Sequence, residues 1–195
     1  TFAIGAALVV SIGAWGWLRP IAEPTLHVTI SPPAGTSFIP NPGWPALSPD
    51  GRTVVFAAMR DGETRLYRRP VDGFRVEAIE GCDDATYPFF SPDGAWVGYF
   101  TRSRQLRKIA LTGGQPTTLA EIPFWRSAAA WRSDRTIVVT SDSRGLYSVP
   151  DNGGTFAPLA ESDTIAGAVQ LDVPQSLEDG RLLTTRNDAI QRFLA

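Results

Sequence analysis

The chain has 195 residues, 43% hydrophobic and 19% charged, with a net charge of −2. It is long enough to bury a core, and its charge is too low and too even for a nucleic-acid surface. A single histidine, His27, and a single cysteine, Cys82, exclude a multi-histidine metal centre, a histidine triad with a second available base, and any internal disulfide.

The first element is apolar. From Phe2 to Leu18 there are 17 uncharged residues, ending in Trp15 and Trp17 and followed at once by Arg19-Pro20. Residues 1–18 read as a single membrane-spanning helix cut at its start, since the chain opens on Thr1 and the tryptophans suit an interfacial belt. A secretory signal peptide is the alternative. It calls for a small-x-small cleavage site, and no Ala-x-Ala pattern lies between Ala14 and Glu23. Either segment delivers the rest of the chain across a membrane.

Residues 19–45 read as a linker plus a closing strand. Leu26-His27-Val28-Thr29-Ile30 alternates as a strand does, with His27 as a polar residue on it. A proline-rich stretch from Ser31 to Pro45 then leads to the repeats.

Residues 46–195 carry the most informative pattern. Ser48-Pro49-Asp50-Gly51 returns as Ser91-Pro92-Asp93-Gly94, then in altered form as Arg132-Ser133-Asp134-Arg135 and Leu177-Glu178-Asp179-Gly180, with intervals of 43, 41 and 45 residues between the aspartates. A second register, Leu66, Leu106, Leu146 and Ile190, advances by 40, 40 and 44. Self-similarity at this period, with strand-like content, is what the blades of a β-propeller produce. After each aspartate come short apolar runs such as Thr53-Val54-Val55-Phe56 and Trp96-Val97-Gly98-Tyr99-Phe100. They lack clean alternation, as expected of sheets covered on both faces. Glycine and proline, 34 residues together, make up about 17% of the chain against an average near 12%, as a turn-rich all-β protein requires. The fold class is therefore all-β, a propeller with about four blades present and a parent of six or more, preceded by one transmembrane helix. The fourth unit stops inside its third strand.

Chemistry is sparse. No P-loop, G-x-S-x-G elbow or kinase signature occurs. Catalytic, cofactor-binding and metal-binding residues are therefore expected to be absent. Asp50, Gly51, Asp93, Gly94, Asp134, Asp179 and Gly180 form a repeated hairpin turn, in which aspartate caps its own backbone and glycine supplies positive φ. A ring of carboxylates for a cation is the competing reading of the same four aspartates. Gly113-Gly114 and Gly153-Gly154 are likewise turns before they are phosphate cradles. Arg68-Arg69 reads as a solvated strand face, and Lys108, the one lysine beside 17 arginines, as compositional bias. Trp125 and Arg126, between the second and third units and without a repeat equivalent, are the candidate ligand-loop residues. Packing under a blade edge is the alternative for Trp125.

Ala46-Leu47-Ser48-Pro49-Asp50-Gly51-Arg52, Tyr87 to Gly94 and Leu106 to Gly114 resemble the TolB-type, WD-like propeller repeat over residues 40–195. A membrane span followed by such repeats is similar to the C-terminal half of bacterial transmembrane serine/threonine kinases, whose kinase domain precedes the span and uses ATP and Mg. None of that domain's catalytic residues is present, so no catalytic role transfers. The resemblance implies a non-catalytic, extracytoplasmic sensing or binding module on a single-pass bacterial membrane anchor. Its partners would be the membrane through residues 1–18 and a protein or small molecule at the propeller loops, with no nucleic acid. Alternatives are an exported periplasmic TolB-like scaffold and the propeller of a prolyl-oligopeptidase-type peptidase.

Overall fold

The computed structural model describes residues 29–39, 44–123, 126–141, 145–159, 175–176 and 182–183, in strands, turns and extended segments. Residues 1–18 lie outside this set. Among the described residues, no helix is long and apolar enough to cross a membrane. Thr29 and Ile30, the described end of the strand expected over residues 26–30, are not in a strand.

Three antiparallel sheets succeed one another along the chain. The first contains β1 (Ser37–Phe38), β2 (Ala46–Leu47), β3 (Thr53–Arg60), β4 (Glu63–Pro70) and β5 (Glu77–Asp83). The second is β6 (Ala85–Phe90), β7 (Trp96–Thr101), β8 (Gln105–Ala110) and β9 (Thr117–Glu121). The third is β10 (Arg126–Trp131), β11 (Thr136–Ser141), β12 (Gly145–Pro150) and β13 (Ala157–Pro158). A two-stranded piece, β14 (Gln175–Ser176) with β15 (Leu182–Leu183), brackets the fourth turn motif. Each full sheet is a meander in sequence order, as a propeller blade is.

The first strand of each blade pairs irregularly with the second, and proline explains two of the three cases. Pro88 has no N–H for the ladder, and β6 breaks register between Thr86 and Phe89, with Tyr87 at φ 52°. Pro45 stands at the same distance before its Ser-Pro-Asp-Gly turn. In the first blade the interruption is longer: β1 pairs with Met59 and Ala58, β2 with Val55 and Val54. The stretch expected to be only a linker thus contributes Ser37–Phe38 to the first sheet. In β10 the shift falls between Arg126 and Ala128.

The second strands β3, β7 and β11 are buried on both faces, and two apolar clusters result. Val55, Ala57 and Leu66 of the first blade meet Phe90, Val97, Tyr99 and Ile109 of the second. Phe100 and Leu106 on the other face of the second blade meet Ala129, Trp131, Ile137 and Val139 of the third. The core is therefore divided among the joints between blades, and neither cluster belongs to one sheet.

Polar contacts fasten the same joints, at equal spacing. Arg68 Nη1 donates to the carbonyl of Leu111 at 2.7 Å, and Lys108 Nζ donates to the carbonyl of Asp151 at 2.7 Å, each pair separated by 43 residues. A second pair of bonds joins backbone to backbone: Gly114 N to Glu80 O at 3.3 Å and Gly154 N to Leu119 O at 3.0 Å. Arg68 is also forked onto Glu77, with Nη2 at 3.0 Å. Arg69 is only 7% exposed and donates from Nε to Gly73 O at 2.6 Å. The solvated face expected for this pair is thus corrected. A carbonyl of the next blade draws one guanidinium inward, and the adjoining turn draws the other.

Lys108 is likewise more than compositional bias. Its ammonium lies 5.0 Å from the Trp96 ring centroid and 5.8 Å from that of Trp131, so two indoles from different blades share one cation. Replacing Lys108 with Met keeps the aliphatic stem and deletes the charge. We expect a loss of about 2 kcal/mol by urea denaturation, with Lys108→Arg recovering most of it. An unchanged midpoint for Lys108→Met would show that the stem alone holds the joint.

Candidate functional site

The antiparallel meander sorts the connections onto two ends of the blades. One end carries the turns between first and second strands and between third and fourth. The other carries the hairpins between second and third strands and the links from one blade to the next. The repeated aspartates and the candidate loop residues fall on opposite ends.

At the first end the hydrogen bonds of the turn motif are nearly superposable. Ser48 Oγ donates to Asp50 Oδ1 at 2.6 Å, the Arg52 amide donates to the same oxygen at 3.0 Å, and the Thr53 amide donates to Ser48 Oγ at 2.8 Å. In the second blade Ser91, Asp93, Ala95 and Trp96 repeat this at 2.6, 3.0 and 2.9 Å. Gly51 and Gly94 each sit at φ 70°, where a side chain is costly.

The third blade keeps the aspartate and changes the rest. The Thr136 amide donates to Asp134 Oδ1 at 3.1 Å, while the Arg132 guanidinium replaces the serine at 3.0 Å from Oδ2. This turn is one residue shorter, and Arg135 takes the glycine position at φ 66°. Asp179 and Gly180 lie outside the described residues.

The carboxylates of Asp93 and Asp50 are held below the usual range, Asp93 by the Ser91 hydroxyl and then the Ala95 amide, Asp50 by Ser48 and then Arg52. A carboxylate whose folded pKa is depressed below 3.8 contributes stability that is complete above that value and lost as pH falls through the folded one. The melting temperature is therefore expected to hold from neutrality to about pH 5 and then fall. Asp50→Asn with Asp93→Asn should melt lower at neutral pH and show a shallower acid limb. An acid limb of unchanged slope would place the titration elsewhere.

The three described aspartates serve three separate turns. Among the described residues, no group of three or more His, Cys, Asp or Glu side chains could hold a metal ion. Cys82 is buried, donates to Ile79 O at 2.7 Å, and burial pushes its pKa up to about 11. A thiol in that state is a poor nucleophile.

The second end is more varied and more charged. Arg60-Asp61-Gly62-Glu63 is a two-residue Asp-Gly hairpin with φ 52° and 85° at its centre. Beside it Arg65 Nε contacts Asp83 at 2.8 Å across the first sheet. On the link into the second blade Asp84, at φ 61°, accepts the Arg102 amide at 3.1 Å and faces its guanidinium at 3.5 Å. The link between these blades therefore ties itself to the neighbouring hairpin. Arg126 opens β10 at this end, opposite Ser141, and Trp125 lies outside the described residues. Nothing in the local pattern marked Arg65, Asp83, Asp84 or Arg102, because charged residues in strand ends are ordinary until the blade brings them together.

Comparison with known proteins places the fold. No family model matches this chain. An uncharacterized protein of Agrobacterium fabrum is 27% identical over 109 residues, covering 51% of this chain and 36% of that protein. Among solved structures, a TolB-like protein from Agrobacterium tumefaciens aligns with a TM-score of 0.53 at 21% identity, covering 76% of this chain and 60% of that one. TolB from Acinetobacter baumannii aligns with a TM-score of 0.58 at 15% identity, covering 77% and 42%. A chain of a nidogen/laminin complex gives 0.55 at 13% identity over 73% and 54%. The chain thus spans little more than a third of its Agrobacterium fabrum relative and roughly half of these solved chains, and its described blades have the β-propeller fold of TolB-type proteins.

Proposed function

We propose that this chain is a non-catalytic propeller scaffold that recognises a protein partner through the end bearing the Asp83-Asp84 link, the Arg102 hairpin and Arg126. The observation that carries this reading is the division of labour between the two ends. One end repeats an aspartate-centred turn in three blades, and the other presents different charged residues in the first and second blades, Arg65 with Asp83 and Asp84 with Arg102. The propeller likeness to TolB-type chains and to a chain crystallised in a nidogen/laminin complex is consistent with protein binding. In the same reading residues 1–18 tether the scaffold to a bacterial membrane with the blades outside the cytoplasm. The uncharged run closed by Trp15 and Trp17 supports the tether.

A photo-crosslinking amino acid at position 126 or at position 94 tests the assignment in cells that make the tethered chain. Adducts from position 126 alone are the expected result. Adducts from position 94 alone, or from neither, would reject the site. Alkaline phosphatase fused after Leu159 should be active if the blades are exported.

A finer reading makes the scaffold the sensor of a transmembrane serine/threonine kinase, which would supply ATP and Mg binding in a separate domain. It is favoured by the order of the apolar segment and the repeats. The parent reading frame decides it: a kinase domain ahead of Thr1 supports the receptor, and a short basic leader there supports the exported scaffold.

A further inference from the structure

Among the described residues, Asp61, Asp84, Tyr87, Arg104 and Arg135 hold a positive φ without being glycine. Asp61, Arg104 and Arg135 lie in turns within blades, and Asp84 in the link between two. Tyr87 alone of these lies inside a strand, and it alone is aromatic. A bulky side chain at φ 52° is costly, and Pro88 behind it raises the cost, because the residue before a proline is driven toward extended backbone.

Neither the proline nor the shift in register demands this backbone. Trp44 precedes Pro45 at the same distance from Asp50 as Tyr87 stands from Asp93, and Trp44 is not at positive φ. The register shift of β10 likewise runs from Arg126 to Ala128 without such a residue. The strain belongs to the second blade alone among the three.

Its effect is to turn one ring out of the strand. Tyr87 and Pro88 together face Tyr99, between the paired positions Thr86–Phe100 and Phe89–Gly98. Every other residue of β6 is buried, whereas Tyr87 is half-buried. Its ring meets Phe100 edge-on at 6.3 Å and packs on the apolar cluster between the second and third blades. As the first strand of its blade, β6 runs beside the axis of the propeller. Tyr87 follows Asp84 by three residues, so it stands beside the end that carries Asp84, Arg102 and the start of β10 at Arg126.

We propose that Tyr87 is the anchor of this recognition end, and that the protein partner seats an apolar side chain of an extended segment against its ring. The inference rests on the reading of that end as the binding face. An aromatic ring already held by packing and rimmed by charged residues has the makings of an interface hot spot. Backbone strain kept in one blade and avoided in its neighbours has its return in where it aims the ring.

The test uses the tethered chain in cells, with p-benzoylphenylalanine at position 87 or at position 126. An adduct of the same mass from both positions is the expected result. Tyr87→Asn is then combined with the photo-residue at position 126. Asparagine adopts positive φ at little cost, so the purified variant in nonionic detergent should melt within about 3 °C of wild type, while its adduct yield falls at least about tenfold. An undiminished yield would overturn the anchor and leave the binding face in place. A lower yield with a melting temperature well below wild type would overturn it in favour of a ring that only seals the joint. Adducts from neither position would remove the binding face and the anchor together.

Discussion

Gly81→Ala is expected to lower stability by about 3 kcal/mol, or about 10 °C in melting temperature for a chain of this size. Gly81 sits at φ 88° in β5, and a Cβ there would stand 2.2 Å from the carbonyl oxygen of Gly114 in the next blade. The reason lies in the bulge. Leu66 faces the four residues from Ile79 to Cys82 between the paired positions Tyr67–Ala78 and Arg65–Asp83. The pouch so formed accepts the Gly113-Gly114 turn, tied by Gly114 N to Glu80 O. Both partners are backbone, so neither can swing aside. Gly62→Ala is the control: its φ of 85° is nearly the same, but nothing lies within 4 Å of the added carbon. Its expected cost is about 1 kcal/mol, from backbone conformation alone. Equal losses for the two variants in chemical denaturation would remove the inter-blade contact from the explanation.

Gly98→Ala is the second large effect, and it acts inside one blade. Gly98 pairs with Phe89 across β6 and β7, and a Cβ on it would lie 2.3 Å from Phe89 Cζ, among ring atoms that now cover the glycine. Phe89 cannot retreat freely, because it packs at 6.0 Å against Phe100 and at 6.3 Å against Trp131 of the third blade. We expect a loss of about 2–3 kcal/mol, the usual cost of forcing an extra carbon into a filled core. Gly98→Ala combined with Phe89→Leu should lose less than the two single changes added together, since the smaller side chain vacates the space the methyl needs. Strict additivity in that cycle would place the strain elsewhere.

The blade boundaries were legible because they depend on short-range chemistry. Ser48-Pro49-Asp50-Gly51 and Ser91-Pro92-Asp93-Gly94 make their turns with bonds spanning two to five residues, so a local motif suffices to announce them. The two-residue strand β1 was not legible, because Pro40, Pro42 and Pro45 disguise the segment that contains it. Arg68, Lys108 and the Asp84–Arg102 contact were missed for a related reason. Their partners lie 43, 43 and 18 residues away, and only the stacking and folding of sheets brings them near. The candidate recognition end suffers most from this. Its specificity resides in which charged side chains meet, and periodicity carries no record of that.

The joints between blades have one further consequence, for how the repeats diverge. At each fastening bond made by a side chain the acceptor is a peptide carbonyl, which no point mutation removes. The donor side needs only length and positive charge, and arginine serves one joint while lysine serves the other. Neither partner must change in step with the other, so a repeat can be duplicated, drift and still seat against its neighbour. A chain built this way accumulates differences along its exposed loops while these side-chain fastenings stay in place.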